Sequence, residues 1–276
     1  MKKLSSKIYM YALFTFLYLP ILVLIVFSFN ASKSMARWTG FTFDWYIKLF
    51  QDEAIMSALL NTVIVAVAAS VLSTILGTMA ALGIHSMKKT SKSVIMGVTY
   101  IPVINPEIIM GVSLMLLFKF FVDSFGFRFG FVSLVLAHIS FDVPYVIYNV
   151  LPKLRSMNPN LVEAAKDLGC NSKKAFFKVV IPEIMPGIFS GFLMALTYSI
   201  DDFVISYFTS GIKVQTLSIA IEAMTRKKIN PEINALSAII FVVISAILIT
   251  KNILENRKLR RERAQFRAAQ RKESAI

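Results

Sequence analysis

The chain has a single cysteine, Cys170, among its 276 residues, so no internal disulfide can brace it. Its two histidines lie in different parts of the chain and argue against a metal site or a catalytic triad. No GxxxxGK[ST] run occurs, so any nucleotide must be handled by another chain, and HExxH, CxxC and GxSxG are missing too. Charge is also scarce. Only 17% of residues are charged, against 56% hydrophobic, and a mean hydropathy of +0.66 excludes an ordinary soluble domain. Acids are the rarer sign, 16 against 30 Lys and Arg, for a net charge of +14. In a soluble protein that balance would point to nucleic acid. Here the bases gather beside the apolar runs, as in cytoplasmic loops facing anionic lipid.

What the chain does have is a series of apolar segments. Residues 8–29 follow Lys2, Lys3 and Lys7 and, at about 1.5 Å per residue, are long enough to cross a bilayer. A cleaved signal peptide would start the same way, but its core is roughly 7 to 15 residues and ends at a small-x-small site. A retained span is therefore predicted. Five more are predicted at 58–84, 94–122, 131–150, 187–209 and 233–249. The second is rich in Ala, Ser and Thr with Gly77 and Gly83, a composition for close helix packing. The third contains Pro102 and Pro106, which must break its backbone ladder, and Glu107 follows at once. Residues 30–56 carry Trp38, Trp45 and Tyr46, aromatics suited to a membrane surface. Placing both termini in the cytoplasm puts most of the bases inside, in the N-terminus, residues 85–93 and 152–185, and the tail. Arg226-Lys227-Lys228 then falls outside, against that rule. The expected fold is all-α and polytopic, with six transmembrane helices and a cytoplasmic loop between spans four and five.

That loop, residues 151–187, is the one long polar interruption. Asn158-Pro159 and Asn160-x-x-Glu163 read as helix starts, with Glu163 reaching back to a free amide. Gly169 stops the helix. Asn171 and Ser172 can cap a second, with Ala175, Phe176, Val179 and Val180 on one side and Lys173, Lys174 and Lys178 largely on others, until Pro182 and Pro186 end it. Two short helices, too polar for lipid and too apolar on one face for water, make an element built to dock.

The acids inside the spans are the other signal. An ionised carboxylate at the bilayer centre costs roughly 2.5 to 3.5 kcal/mol on insertion scales, so it usually faces a bundle interior or a water-filled path. Glu107, Asp142, Asp201 and Asp202 are such residues, and Lys119 is the one base within a span. The negative excess predicts a cationic cargo, with Tyr145 and Tyr198 offering aromatic faces to ammonium groups. His138, Asp142, Tyr145 and Asn149 share one helix face. His138 with Asp142 could instead serve a membrane enzyme as an acid/base pair, a reading that a helix-packing hydrogen bond explains more simply.

Glu163-Ala164-Ala165, three residues, Gly169, nine residues, Val179, one residue, Ile181-Pro182 resembles the EAA loop of ABC-importer permeases, with Val179 for the favoured Ile and Ile181 for the favoured Leu. Across essentially the whole chain, IPVINPEIIMG, LVEAAKDLG, IPEIMPG and YSIDDFVIS are similar to the spermidine/putrescine importer permeases. The resemblance implies a transmembrane permease domain over 1–255, with its coupling loop at 151–187, and a basic cytoplasmic tail at 256–276. It implies a subunit in a bacterial inner membrane that is not itself an enzyme and holds no cofactor. Two partner ATPase subunits would bind ATP and Mg and seat on Glu163, Ala164, Ala165, Gly169 and Pro182. A second, similar permease and an extracytoplasmic binding protein complete the assembly. Glu107, Asp201 and Asp202 map to acids thought to line the polyamine path, with Glu in place of the shorter Asp sometimes found at the first position. The same machine could carry an amino-acid derivative, a metal chelate or a phosphonate.

Overall fold

The computed structural model describes residues 2–33, 37–227, 231–242, 245–246 and 249. The described residues form helices and no strand. The chain divides into two compact units, one drawn from its two ends (up to Asp52 and from Met224), the other Glu53–Ala223.

In the first unit α1 (Lys2–Phe27) is apolar all round beyond Lys7, and no described side chain of its span-length stretch, Lys7–Phe27, is buried, as suits a helix solvated by lipid. Beyond it the chain turns back on Asn30. The Asn30 side chain donates to the Arg37 carbonyl at 2.8 Å and accepts from the Thr39 amide at 3.0 Å, while its own carbonyl takes the Trp45 indole N–H at 2.7 Å. Trp45 is thereby buried at the start of α2 (Asp44–Gln51), whereas Trp38 stays exposed. Only one of the two tryptophans is therefore free to meet a membrane surface. A short apolar helix, Pro231–Val242, covers the start of the predicted sixth span. Lys228 and the tail 256–276 lie outside the described residues.

The second unit is built on three long helices, α3 (Glu53–Ser86), α6 (Phe131–Ser156) and α9 (Ile181–Asp201), each packed on the other two. On α3 the buried residues Ala66, Ala69, Ser70, Ser73, Gly77 and Ala81 recur at helical spacing. Their small size sets the approach. A Cβ on Gly77 would come within 2.6 Å of Val146 Cβ on α6, and one on Gly191 of α9 within 3.2 Å of the Val146 Cα. Val146, fully buried, is thus clasped from both sides.

Two of the predicted spans are each a pair of helices. Residues 94–122 resolve into α4 (Lys89–Ile104) and α5 (Glu107–Phe125), and α5 alone has span length. The break falls at Asn105-Pro106, both extended at ψ 140° and 136°, because a residue before proline is driven from the helical region. Pro102 is absorbed within α4. Residues 187–209 resolve into α9 and α10 (Val204–Thr209), broken at Asp202 with ψ 124°. No proline marks that break.

In the polar loop, α7 (Asn160–Asp167) ends where Gly169 takes φ +84°, a left-handed conformation, and the Cys170 amide reaches the Ala165 carbonyl at 3.0 Å. Asn171 caps α8 (Ser172–Ala175) by accepting from the Lys174 amide at 2.8 Å. Glu163 makes no return bond among the described residues, since the Asn160 amide is already taken by Asn158 Oδ1 at 3.0 Å. Pro182 and Pro186 do not end the second helix. Residues Phe176–Val180 widen into a π-type turn in which the Ile181 amide reaches back to Phe176, and this slack accommodates the missing proline N–H groups. The chain is consequently helical from Ser172 to Asp201 without interruption, 30 residues or about 45 Å.

Candidate functional site

The two helix breaks lie side by side. A Cβ on Gly111, one turn into α5, would sit 2.9 Å from the Phe208 ring and 3.3 Å from the Val204 carbonyl, so α5 and α10 are in backbone contact where both helices begin. Glu107 at the start of α5 is exposed, as is Asp201 at the end of α9. Glu107 is close enough to Asp201 and Asp202 for their charges to act on one another, and Tyr145 lies within reach of Glu107. Tyr145 of α6 and Tyr198 of α9 are half-buried, with ring centroids 4.4 Å apart and planes at 37°, and each meets the edge of Phe141. The site is therefore an acidic opening with an aromatic wall. Neither α9 nor α10 carries a Lys or Arg. The one on α5, Lys119, is paired with Asp123 at 3.3 Å three turns away. The negative charge at the breaks is thus left without a basic partner on these helices.

Behind the opening is a closed polar network. Asp142 is fully buried and accepts the Ser199 hydroxyl at 2.7 Å; its other oxygen has no hydrogen-bond partner among the described residues. His138, 2% exposed, meets Ser199 Oγ through Nδ1 and Ser206 Oγ through Nε2, each at 3.0 Å. Asp202 turns inward. Its carboxylate accepts the Ile205 amide at 3.1 Å and the Ser206 amide at 2.7 Å, and lies 3.6 Å from His138 Nε2. It caps α10, satisfying amides that the break would leave bare in an apolar setting. Leu114, Phe118, Ala137, Phe141 and Ile205 form a buried apolar cluster on the same helices and α5.

Of the six residues expected on a cargo path, then, the structure brings Glu107, Asp201, Tyr145 and Tyr198 to the opening. It buries Asp142 and Asp202 in bonds between and within helices. Sequence reasoning does not single out Ser199 and Ser206; their one signal is a serine three residues before, and another four after, the buried Asp202. The acid/base pair read from His138 and Asp142 is not a direct contact, because Ser199 stands between them. At the other end of α9, Ala165 is buried against its own loop while Glu163, Ala164 and Gly169 are exposed, with Leu168 86% and Phe177 68% exposed beside them.

The profile of the family described as "Binding-protein-dependent transport system inner membrane component" matches residues 73–258. The chain is 33% identical over 246 residues to the spermidine/putrescine transport system permease protein PotC of Haemophilus influenzae, covering 89% of this chain and 94% of that one. It is 38% identical over 239 residues to the putrescine transport system permease protein PotI of Escherichia coli, covering 85% and 84%. Among solved structures, a chain of a bacterial ABC transporter that imports the acidic polysaccharide alginate aligns with a TM-score of 0.65 at 17% identity, over 90% of this chain and 95% of that one. A chain of the alginate transporter in complex with a pentasaccharide-bound periplasmic protein aligns at 0.68, with 16% identity, over 90% and 91%. At those identities the structures speak for the fold alone.

Proposed function

This chain belongs to the family of binding-protein-dependent transport system inner membrane components, and on that premise we propose that it is the polyamine-conducting permease subunit of an ATP-driven importer. The observation that carries the cargo is the opening at the paired helix breaks, where Glu107 and Asp201 stand exposed beside Tyr145 and Tyr198 with no base on the adjoining turns. A diamine or triamine meets such a site with charges of opposite sign and with ammonium groups that favour aromatic faces. Broken helices near the middle of a membrane protein are where transporters commonly hold their cargo, since the free helix ends and irregular backbone supply polar groups that lipid cannot. Names of relatives at 33% and 38% identity support the same cargo class.

The drive comes from elsewhere, because the chain has no phosphate-binding loop. Two ATPase subunits seat on the cytoplasmic loop around Glu163, Ala164, Gly169 and the exposed Leu168 and Phe177, and bind the ATP and Mg. A second, similar permease supplies the other half of the path, and an extracytoplasmic binding protein delivers the polyamine. The helix unbroken from Ser172 to Asp201 acts as a lever: closure of the ATPase pair moves one end, and the cargo acid rides on the other.

The test is uptake of labelled spermidine and putrescine by the full importer in cells lacking their own. Glu107→Gln and Asp201→Asn each lower uptake of both by about 30-fold or more, the order expected when one member of a charge pair that becomes desolvated on binding is removed. Undiminished uptake by both variants contradicts the reading, and would favour the same machine carrying a neutral or anionic solute.

A further inference from the structure

The polar network behind the opening does more than fill a cavity. Ser199 lies in the last turn of α9 and Ser206 in the first turn of α10, so the two hydroxyls stand on opposite sides of the break at Asp202. A single imidazole holds both, each at 3.0 Å. The direction of the bonds follows from the donors available. The Ser199 hydroxyl gives its proton to Asp142, so its oxygen is free to receive the Nδ1–H of His138; a neutral imidazole then leaves Nε2 to accept the Ser206 hydroxyl. The chain of bonds runs Ser206 to His138 to Ser199 to Asp142, alternating between the broken span and α6, which supplies His138 and Asp142. Among the described residues no other side-chain hydrogen bond links the two halves across that break, since the hydrogen bonds of the Asp202 carboxylate run forward, into α10.

What rides on each half matters. Asp201 and Tyr198 belong to α9; Glu107 belongs to α5, which is locked to α10 at Gly111. The separation between the two exposed acids is therefore a function of the angle across the break. We infer that His138 is a positioning residue that staples the two halves of the broken fifth span, fixing the distance from Asp201 to Glu107 and so setting which length of polyamine the path accepts. This rests on the polyamine reading above. His138 itself is buried, 2% exposed, and is not assigned a contact with cargo.

The experiment compares KM for putrescine and spermidine in the complete importer carrying His138→Gln, Ser206→Ala or Asp201→Asn. Loss of one arm of the staple shifts the ratio of the two KM values about fivefold, the worth of one buried hydrogen bond, while ATP hydrolysis stimulated by the binding protein persists. A merely structural role lowers the amount of importer or kcat for both polyamines alike and leaves the ratio in place. Should His138→Gln fail to assemble, Ser206→Ala, which deletes one hydroxyl, carries the test alone. An unshifted ratio in the assembled variants overturns the inference; if Asp201→Asn still abolishes uptake, the polyamine reading stands without it, and if Asp201→Asn transports normally, that reading has failed as well.

Discussion

The docking loop and the junction of the helix breaks are both polar interruptions in an apolar chain, yet they are built in opposite ways. In the loop the polar bonds are short-range and open to solvent: Asn158 to Asn160, Ala165 to Cys170, Asn171 to Lys174. At the junction they are buried, and apart from the Asp202 cap they join residues 57 to 68 positions apart. The loop can therefore fold and present its exposed Leu168 and Phe177 on the strength of local signals, ready for a partner. The junction exists only once α6, α9 and α10 have assembled, and its acids acquire their spacing from that assembly. One region is shaped to be gripped and the other to hold a charge, with a continuous helix between them.

Away from the two exposed acids, breaking the loop should have the largest effect. Gly169→Pro replaces a residue at φ +84° by one fixed near −65°, which redirects the chain between α7 and α8. With Glu163→Lys, which reverses the charge on the exposed docking face, it is expected to lower polyamine uptake about tenfold or more while ATP hydrolysis by the partner continues, and the ratio of uptake to hydrolysis reads this directly. A middle-sized effect is expected on the scaffold that carries the junction. Gly191→Leu forces a side chain onto Val146, and overpacking of this kind costs about 1–3 kcal/mol, visible as a lower melting temperature of the purified importer. The smallest belongs to a local cap. Asn171→Ala removes the bond to the Lys174 amide, worth about 1 kcal/mol, and should speed hydrogen exchange at that amide roughly fivefold with uptake nearly intact.

The same contrast explains what could be read from the sequence. Gly169 as a stop and Asn171 as a cap were legible because each acts within five residues, and the break before Glu107 was legible because Pro106 cannot donate a ladder bond. Pro182 misled for the same reason: proline marks a missing donor, and a π-type turn at 176–180 can absorb that loss without ending the helix. The break at Asp202 had no proline, and only the run Asp202-x-x-Ile205-Ser206, an aspartate capping amides three and four residues on, announced it. His138 and Asp142 could be placed on one face by their spacing of four, but their partners lie on other helices, and no spacing along the chain reveals a bond across 61 residues. Six spans were expected; the described residues show five helices of span length and a shorter apolar one at Pro231–Val242, with the third and fifth spans each broken in two.

The proposed transport turns on exposed carboxylates at the paired breaks meeting a cationic cargo that the lever then moves. Spermidine carried per ATP hydrolysed, measured in proteoliposomes holding the complete importer with and without Asp201→Asn, addresses it most directly. Hydrolysis stimulated by the binding protein should continue while the spermidine carried per ATP falls by about tenfold or more. An unchanged yield of spermidine per ATP in the variant would contradict it.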